Sequence, residues 1–214
     1  MKIRVILADD HPLIIFGVKQ TLATMMGVEV VAEASNSRQL MEKLETVPTD
    51  VLITDFSMPM ENSPDGLVML NAIRVKQPGV KVLVLTMLEN PGLLVSMRDS
   101  GVRGILNKRD DISELPAAVL AAYQGRTFFG TAVRREIEQA ESGVVSSNPE
   151  RSLSPRELEV VRLYVNGMTM TEVARHLHRS VNTVSTQKGS AMRKLGLSSD
   201  AALFDYAVEH GMRG

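Results

Sequence analysis

Apolar residues follow two rhythms along the first 125 positions. Short runs rich in Val, Ile and Leu recur at IRVILA from Ile3, VEVVAE from Val28, VLITD from Val51, KVLVLT from Lys81 and GVRGIL from Gly101, each of strand length. Between them apolar residues return every three or four positions, as over residues 13–25, 66–75 and 113–123, which predicts amphipathic helices. Strand then helix, five times over, predicts an α/β fold: a doubly wound five-stranded parallel sheet with helices on both faces. The near-continuous hydrophobicity of VILA, VLIT and VLVLT fits strands buried on both sides.

After Gly125 this pattern stops, and GVVSSNPERS, residues 143–152, gathers Gly, Ser, Asn and Pro into a linker signal. The chain is therefore divided into a first domain of residues 1–125, a connecting helix and linker over residues 126–152, and an all-α domain over residues 153–214. In that last part Ser154 with Glu157 and Thr169 with Glu172 match the capping box, and Ser180 precedes a third periodic run. Asn166-Gly167 stands where a helix end needs a residue tolerant of positive φ. Helix, tight turn and helix make a helix-turn-helix outline. The third helix, over Val181–Leu195, turns Val184, Ala191, Met192 and Leu195 inward. That leaves Asn182, Ser185, Thr186, Lys188, Gly189 and Arg193 among the exposed positions.

Charge changes the picture for this part alone. Residues 1–130 hold 13 basic and 15 acidic side chains, net −2, whereas residues 151–214 hold 9 and 6, net +3. Between Thr171 and Leu195 five basic residues, Arg175, Arg179, Lys188, Arg193 and Lys194, face one acid, Glu172. A polyanion partner fits, since a helix enters the major groove and short polar side chains with Lys and Arg bond base edges and phosphates. A solvated helix face is the competing reading. No cysteine occurs, which excludes disulfides and thiolate metal sites. The apolar start is broken by two acids and no membrane-length apolar run follows, so a cytoplasmic location with no membrane partner is expected.

In open parallel sheets ligands bind beyond the carboxyl ends of the strands, where Asp9, Asp10, Asp55, Thr86 and Lys108 should converge. Three carboxylates together repel one another unless a cation neutralises them, and oxygen ligands suit Mg2+. Lys108 and Thr86 add a cation and a hydroxyl for phosphoryl oxygens. Taken singly, each Asp could be only a turn or helix cap, Asp10 included. The spacing from Gly125 to Gly130 suggests a phosphate loop, but Thr131 stands where the lysine is required, and the segment reads as a loop. His176 and His178 fall on different sides of a helix, and His11 and His210 read as isolated surface residues. Met58 and Met60 flank the proline after Asp55 as a candidate exposed pair.

ADDHP from Ala8, LITDFSMP from Leu52, VLTM from Val84 and NK at Asn107 resemble the receiver domain of two-component response regulators. The resemblance implies that Asp55 is the phosphoacceptor, that Asp9, Asp10, Asp55 and the carbonyl of Ser57 hold Mg2+, and that Thr86 and Lys108 bind the phosphoryl group. The donor would be a histidine kinase, a phosphotransfer protein or a small acyl phosphate. Ile105 stands where many receivers carry an aromatic switch residue, and it fits either a switch or core packing. Arg109 stands where many carry proline.

The segment from Leu153 to Leu197 resembles the helix-turn-helix of NarL/FixJ-type regulators, closest to the RcsB group. This implies binding to double-stranded promoter DNA through Asn182, Thr183, Ser185, Thr186, Lys188, Gly189 and Arg193. It also implies a homodimer, or a heterodimer with an auxiliary regulator, with the helix near residues 199–209 supplying a dimer contact. The expected function is a phosphorylation-controlled transcriptional regulator with only slow dephosphorylation of its own. Two rivals stay open: a phosphorylation-independent co-regulator acting through heterodimerisation, and a magnesium phosphohydrolase using Asp55, which lacks a second acid two residues on, where Ser57 stands. Gly189 either lets the helix approach the groove closely or is a lost contact that relaxes affinity, and the second reading is preferred.

Overall fold

The computed structural model describes residues 2–58, 63, 65–88, 90–109, 112–141, 153–195, 197, 199–209 and 212. The linker signal at residues 143–152, Met60 and His210 lie outside them. The chain divides into two compact units, Met1–Thr86 with Met97–Arg135, and Met87–Ser96 with Glu136–Gly214.

The elements run β1 (Ile3–Ala8), α1 (Pro12–Ala23), β2 (Val28–Ala34), α2 (Ser37–Thr46), β3 (Val51–Asp55), α3 (Gly66–Lys76), β4 (Lys81–Thr86), α4 (Pro91–Asp99), β5 (Gly104–Asn107), α5 (Leu115–Tyr123), β6 (Phe128–Phe129) and α6 (Thr131–Glu141). A one-turn 3-10 helix, Ile112–Glu114, leads into α5. All strands are parallel, in the order β2-β1-β3-β4-β5-β6.

The sheet thus has six strands and not the expected five. β6 is two residues long, too short for a hydrophobic period to register, and it lies in the segment read as a loop. It pairs with β5 through Phe128 N to Arg103 O at 2.8 Å and Gly130 N to Ile105 O at 2.9 Å. Gly104 permits this: a Cβ there would fall 2.3 Å from the Phe128 carbonyl oxygen and 2.7 Å from Leu83 Cδ2. The close approach of backbone to backbone therefore requires glycine.

Val5, Leu7, Ile53, Leu83 and Leu85 form one core with Val18 and Leu22 of α1 and Leu115, Val119 and Ala122 of α5. Alternate strand positions Ile6, Leu52, Val84 and Ile105 point to the other face and are also buried, as are Leu40 and Leu44 of α2 and Met69 and Ile73 of α3. Burial on both faces is why these strands read as unbroken apolar runs.

The second unit carries α7 (Pro155–Val165), α8 (Met170–His176), α9 (Val181–Leu195) and α10 (Asp200–Glu209). Both capping boxes close: the Ser154 and Thr169 hydroxyls accept from the N–H of Glu157 and Glu172, whose carboxylates accept from the N–H of the cap residues. Gly167 adopts φ 98 after α7, as its position predicts, while the turn after α8 is made by His178 at φ 52. A non-glycine residue there carries some strain. Among the described residues no helix is long and apolar enough to cross a membrane.

Candidate functional site

Parallel register brings four strand ends together: Ala8 lies beside Thr54, Asp55 beside Leu85 and Thr86 beside Asn107. The next residues after β1 and β5 are Asp9 and Lys108, and Lys108 N donates to Thr86 O at 2.9 Å. Its ammonium lies 2.7 Å from Asp9 Oδ2 and 2.7 Å from Asp55 Oδ2, with the lysine side chain only 4% exposed. Asp9, Asp55 and Thr86 are buried, and Ser57 is half-buried.

Burial is the largest influence on Asp55 and pushes its carboxyl up, with the Asp9 charge adding to it; Lys108 and the Ser57 N–H pull down, leaving it at about 6. Lys108 also loses hydration, but the two carboxylates outweigh that and raise its pKa, so it stays an ammonium. One cation against several carboxylates leaves the pocket net negative.

Asp10 is less buried, and its Oδ1 lies 2.8 Å from Nδ1 of His11. His11 is therefore not the isolated residue expected: it sits 50% exposed at the mouth of the pocket, its N–H donating to Asp9 Oδ1 at 2.9 Å. Adjacency to the acid pair was the available signal. Ligand atoms of Asp9, Asp10, His11 and Asp55 lie within 4.8 Å of one another. This oxygen-rich donor set fits a hard divalent cation such as Mg2+. Ile105 is wholly buried, opposite Val84 on β4 and Phe129 on β6. Met58 is buried and not exposed, and its N–H donates to Oδ1 of the buried Asp65 at 2.8 Å. Asp65, missed in the sequence, holds the backbone of Met58.

On α9 Asn182, Thr183, Ser185, Thr186 and Arg193 are exposed, and Val184 and Ala191 are buried. Ser180 caps the helix by accepting from Thr183 N at 3.1 Å. Thr186 Oγ1 donates back to Asn182 O at 2.8 Å. Lys188 departs from the exposed position expected: its side chain is 14% exposed and its ammonium lies 2.6 Å from Asp200 Oδ1 and 3.8 Å above the Tyr164 ring. Gly189 is half-buried, yet an added Cβ would meet nothing within 4 Å.

Behind this face Glu157 gathers donors from two helices. Its Oε1 accepts from Ser190 Oγ at 2.7 Å, and its Oε2 from Lys194 Nζ at 2.7 Å and from Ser154 N at 2.7 Å. Burial pushes this carboxyl up, but the bonds from Lys194, Ser190 and Ser154 together hold it down at about 2.

A model of the response regulator receiver domain matches residues 5–120, and one of bacterial regulatory proteins of the luxR family matches residues 151–207. The chain belongs to the response regulators, as a transcriptional regulator that joins a receiver to a luxR-type DNA-binding domain. Receiver domains bind Mg2+ at an acidic pocket, and this chain carries an aspartate cluster at its strand ends. Over 202 residues the chain is 39% identical to the transcriptional regulatory protein RcsB of Escherichia coli strain K12, spanning 94% of this chain and 92% of that one. It is 34% identical to the oxygen regulatory protein NreC of Staphylococcus epidermidis, over 96% of this chain and 97% of that one. The structure of RcsB from Salmonella enterica serovar Typhimurium bound to promoter rprA in the presence of phosphomimetic BeF3− matches with a TM-score of 0.76 at 39% identity, covering 96% of this chain and 98% of that one. The resemblance to the RcsB group is borne out.

Proposed function

We propose that Asp55 accepts a phosphoryl group and that the phosphorylated chain binds promoter DNA as a dimer. The observation that carries this is the Lys108 ammonium held 2.7 Å from carboxylates at the ends of β1 and β3, in a pocket that remains net negative. An Asp55 oxygen attacks phosphorus, and the bond from phosphorus to the donor's imidazole nitrogen or acyl oxygen breaks with its electron pair staying on the leaving atom. Lys108 and the Thr86 hydroxyl take the equatorial phosphoryl oxygens. Asp9, Asp10, Asp55 and the Ser57 carbonyl are the residues to hold Mg2+, which when bound offsets charge repulsion between carboxylate and phosphoryl group. Ile105, wholly buried in the sheet, fits the packing reading of its position.

The domain assignment is a receiver over residues 1–125, a connecting helix and linker over 126–152 and a DNA-binding domain over 153–214. Asn182, Thr183, Ser185, Thr186 and Arg193 form the DNA face of α9, while Lys188 is held by Asp200. The chain is cytoplasmic, its phosphodonor is a histidine kinase, phosphotransfer protein or acyl phosphate, and water removes the phosphoryl group slowly. A heterodimer with an auxiliary regulator uses the same chain. Selection of bound sequences from random double-stranded DNA, with and without acetyl phosphate, tests the reading. One enriched motif, recovered more strongly with acetyl phosphate, is expected; no enrichment in either arm overturns DNA recognition, and equal enrichment overturns phosphorylation control.

Gly189→Lys is the companion prediction. Open space at its Cβ position lets the substitution relieve the helix cost of glycine, on the order of 0.5 to 1 kcal/mol. Since Lys188 is engaged elsewhere, Arg193 is the exposed cation of the named face, and a second should add one phosphate contact. Affinity for DNA should rise and the log-log salt slope steepen by about 0.9. A folded variant that binds more weakly would instead favour close approach at Gly189.

A further inference from the structure

We propose that Lys188, Asp200 and Tyr164 form a latch that holds α9 against α7 and the start of α10, so that Lys188 serves DNA binding by positioning α9 and not by touching phosphate. This rests on the reading of α9 as the DNA-facing helix.

The three groups close a cycle across three helices. Lys188 Nζ lies 2.6 Å from Asp200 Oδ1, Tyr164 Oη donates to Asp200 Oδ2 at 2.8 Å, and the ammonium stands 3.8 Å above the Tyr164 ring. Tyr164 in turn packs against Phe204 of α10 with ring centroids 5.7 Å apart. Lys188 is thus engaged on two sides, by a carboxylate and by the negative face of a ring, two attractions that reinforce one another. The Asp200 carboxyl is held below its ordinary range, by Lys188 first and Tyr164 second. Asp200 is also the first residue of α10, where a negative charge is favoured by the exposed N–H groups of the helix start. To reach a phosphate, Lys188 would have to abandon both partners. Asn182, Ser185, Thr186 and Arg193 lie exposed on the same helix. Their aim at a groove depends on how α9 is seated, and misplacement of a recognition element weakens every contact it makes.

The test uses the full chain, with the duplex recovered by the selection above and a random-sequence duplex as probes. Lys188→Met keeps the apolar stem and removes the charge. It should lower affinity for the selected duplex about threefold or more, with the salt slope unchanged, and hydrogen exchange at the start of α10 should quicken. Asp200→Asn should reproduce both changes although position 200 carries no positive charge. Lys188→Asp combined with Asp200→Lys should bind better than Lys188→Asp alone. Circular dichroism confirms folding, and if Lys188→Met unfolds, Asp200→Asn and the charge swap carry the comparison. The latch is overturned if Lys188→Met flattens the slope by about 0.9 while Asp200→Asn retains full affinity, or if neither change affects binding while Arg193→Ala still does. If Arg193→Ala is also without effect on affinity and slope, the DNA reading of α9 falls, and the latch's role in it falls with that reading.

Discussion

Asp55→Asn should reduce phosphoryl incorporation from acetyl phosphate to background, while the parent chain gains one phosphoryl group in a magnesium-dependent way. The amide keeps the shape of the side chain but supplies no carboxylate nucleophile, and it removes one of the two partners of Lys108. Asp9 lies against the same ammonium but follows β1, and Asp10 is more exposed and paired with His11. Asp55 alone closes β3, flanked by β1 and β4. Its carboxyl sits at about 6, so the comparison belongs above that pH, where the carboxylate form dominates. Intact mass spectrometry reads the result directly. Phosphorylation of the Asn variant in good yield would move the assignment to Asp9 or Asp10.

The second large effect concerns Glu157. Its pKa is lowered on folding, from an ordinary 4.5 to about 2, so its contribution to stability is fully present above pH 4.5 and is lost as pH falls from there towards 2. That shift corresponds to a contribution on the order of 3 kcal/mol for this buried carboxylate. Glu157→Gln should therefore destabilise the second unit at neutral pH by about 2 to 3 kcal/mol, since Lys194 and Ser190 lose their charged acceptor. The same variant should flatten the fall in stability between pH 4.5 and 2. Urea-dependent hydrogen exchange of α7 and α9 at neutral pH, with thermal melts across the acid range, measures both. An unaltered acid transition in the Gln variant would assign the acid sensitivity to other carboxylates. Because Ser190 and Lys194 belong to α9, loss of Glu157 should also weaken DNA binding.

Much of this was legible because it is local. Strand-length apolar runs located β1 to β5; in β1, β3, β4 and β5 burial on both faces leaves little room for polar alternation, while β2 at the edge keeps Glu29 and Glu33 exposed. The capping boxes at Ser154 and Thr169, and Gly167 at its turn, were readable because their partners lie three residues away or in the same backbone dihedral. The acids and Lys108 were nominated by βα spacing together with family resemblance. β6 was not readable, because two phenylalanines carry no period and their pairing depends on Gly104, more than twenty residues earlier in the chain.

Helical spacing likewise marked Lys188 as outward, since it registers only the angle around α9. It contains nothing about Asp200 of α10 or Tyr164 of α7, which draw the ammonium inward. Met58 turned inward beside Asp65, seven residues on, for the same kind of reason, whereas His11 meets its own neighbours Asp9 and Asp10. By itself the sequence determined the class of fold, the helix starts and the set of chemical groups at the strand ends, all governed by interactions within a few residues. Which charges meet, which carboxylate is driven up to about 6 and which is held at about 2 was decided only by the tertiary structure, because desolvation and ion pairing depend on groups far apart along the chain.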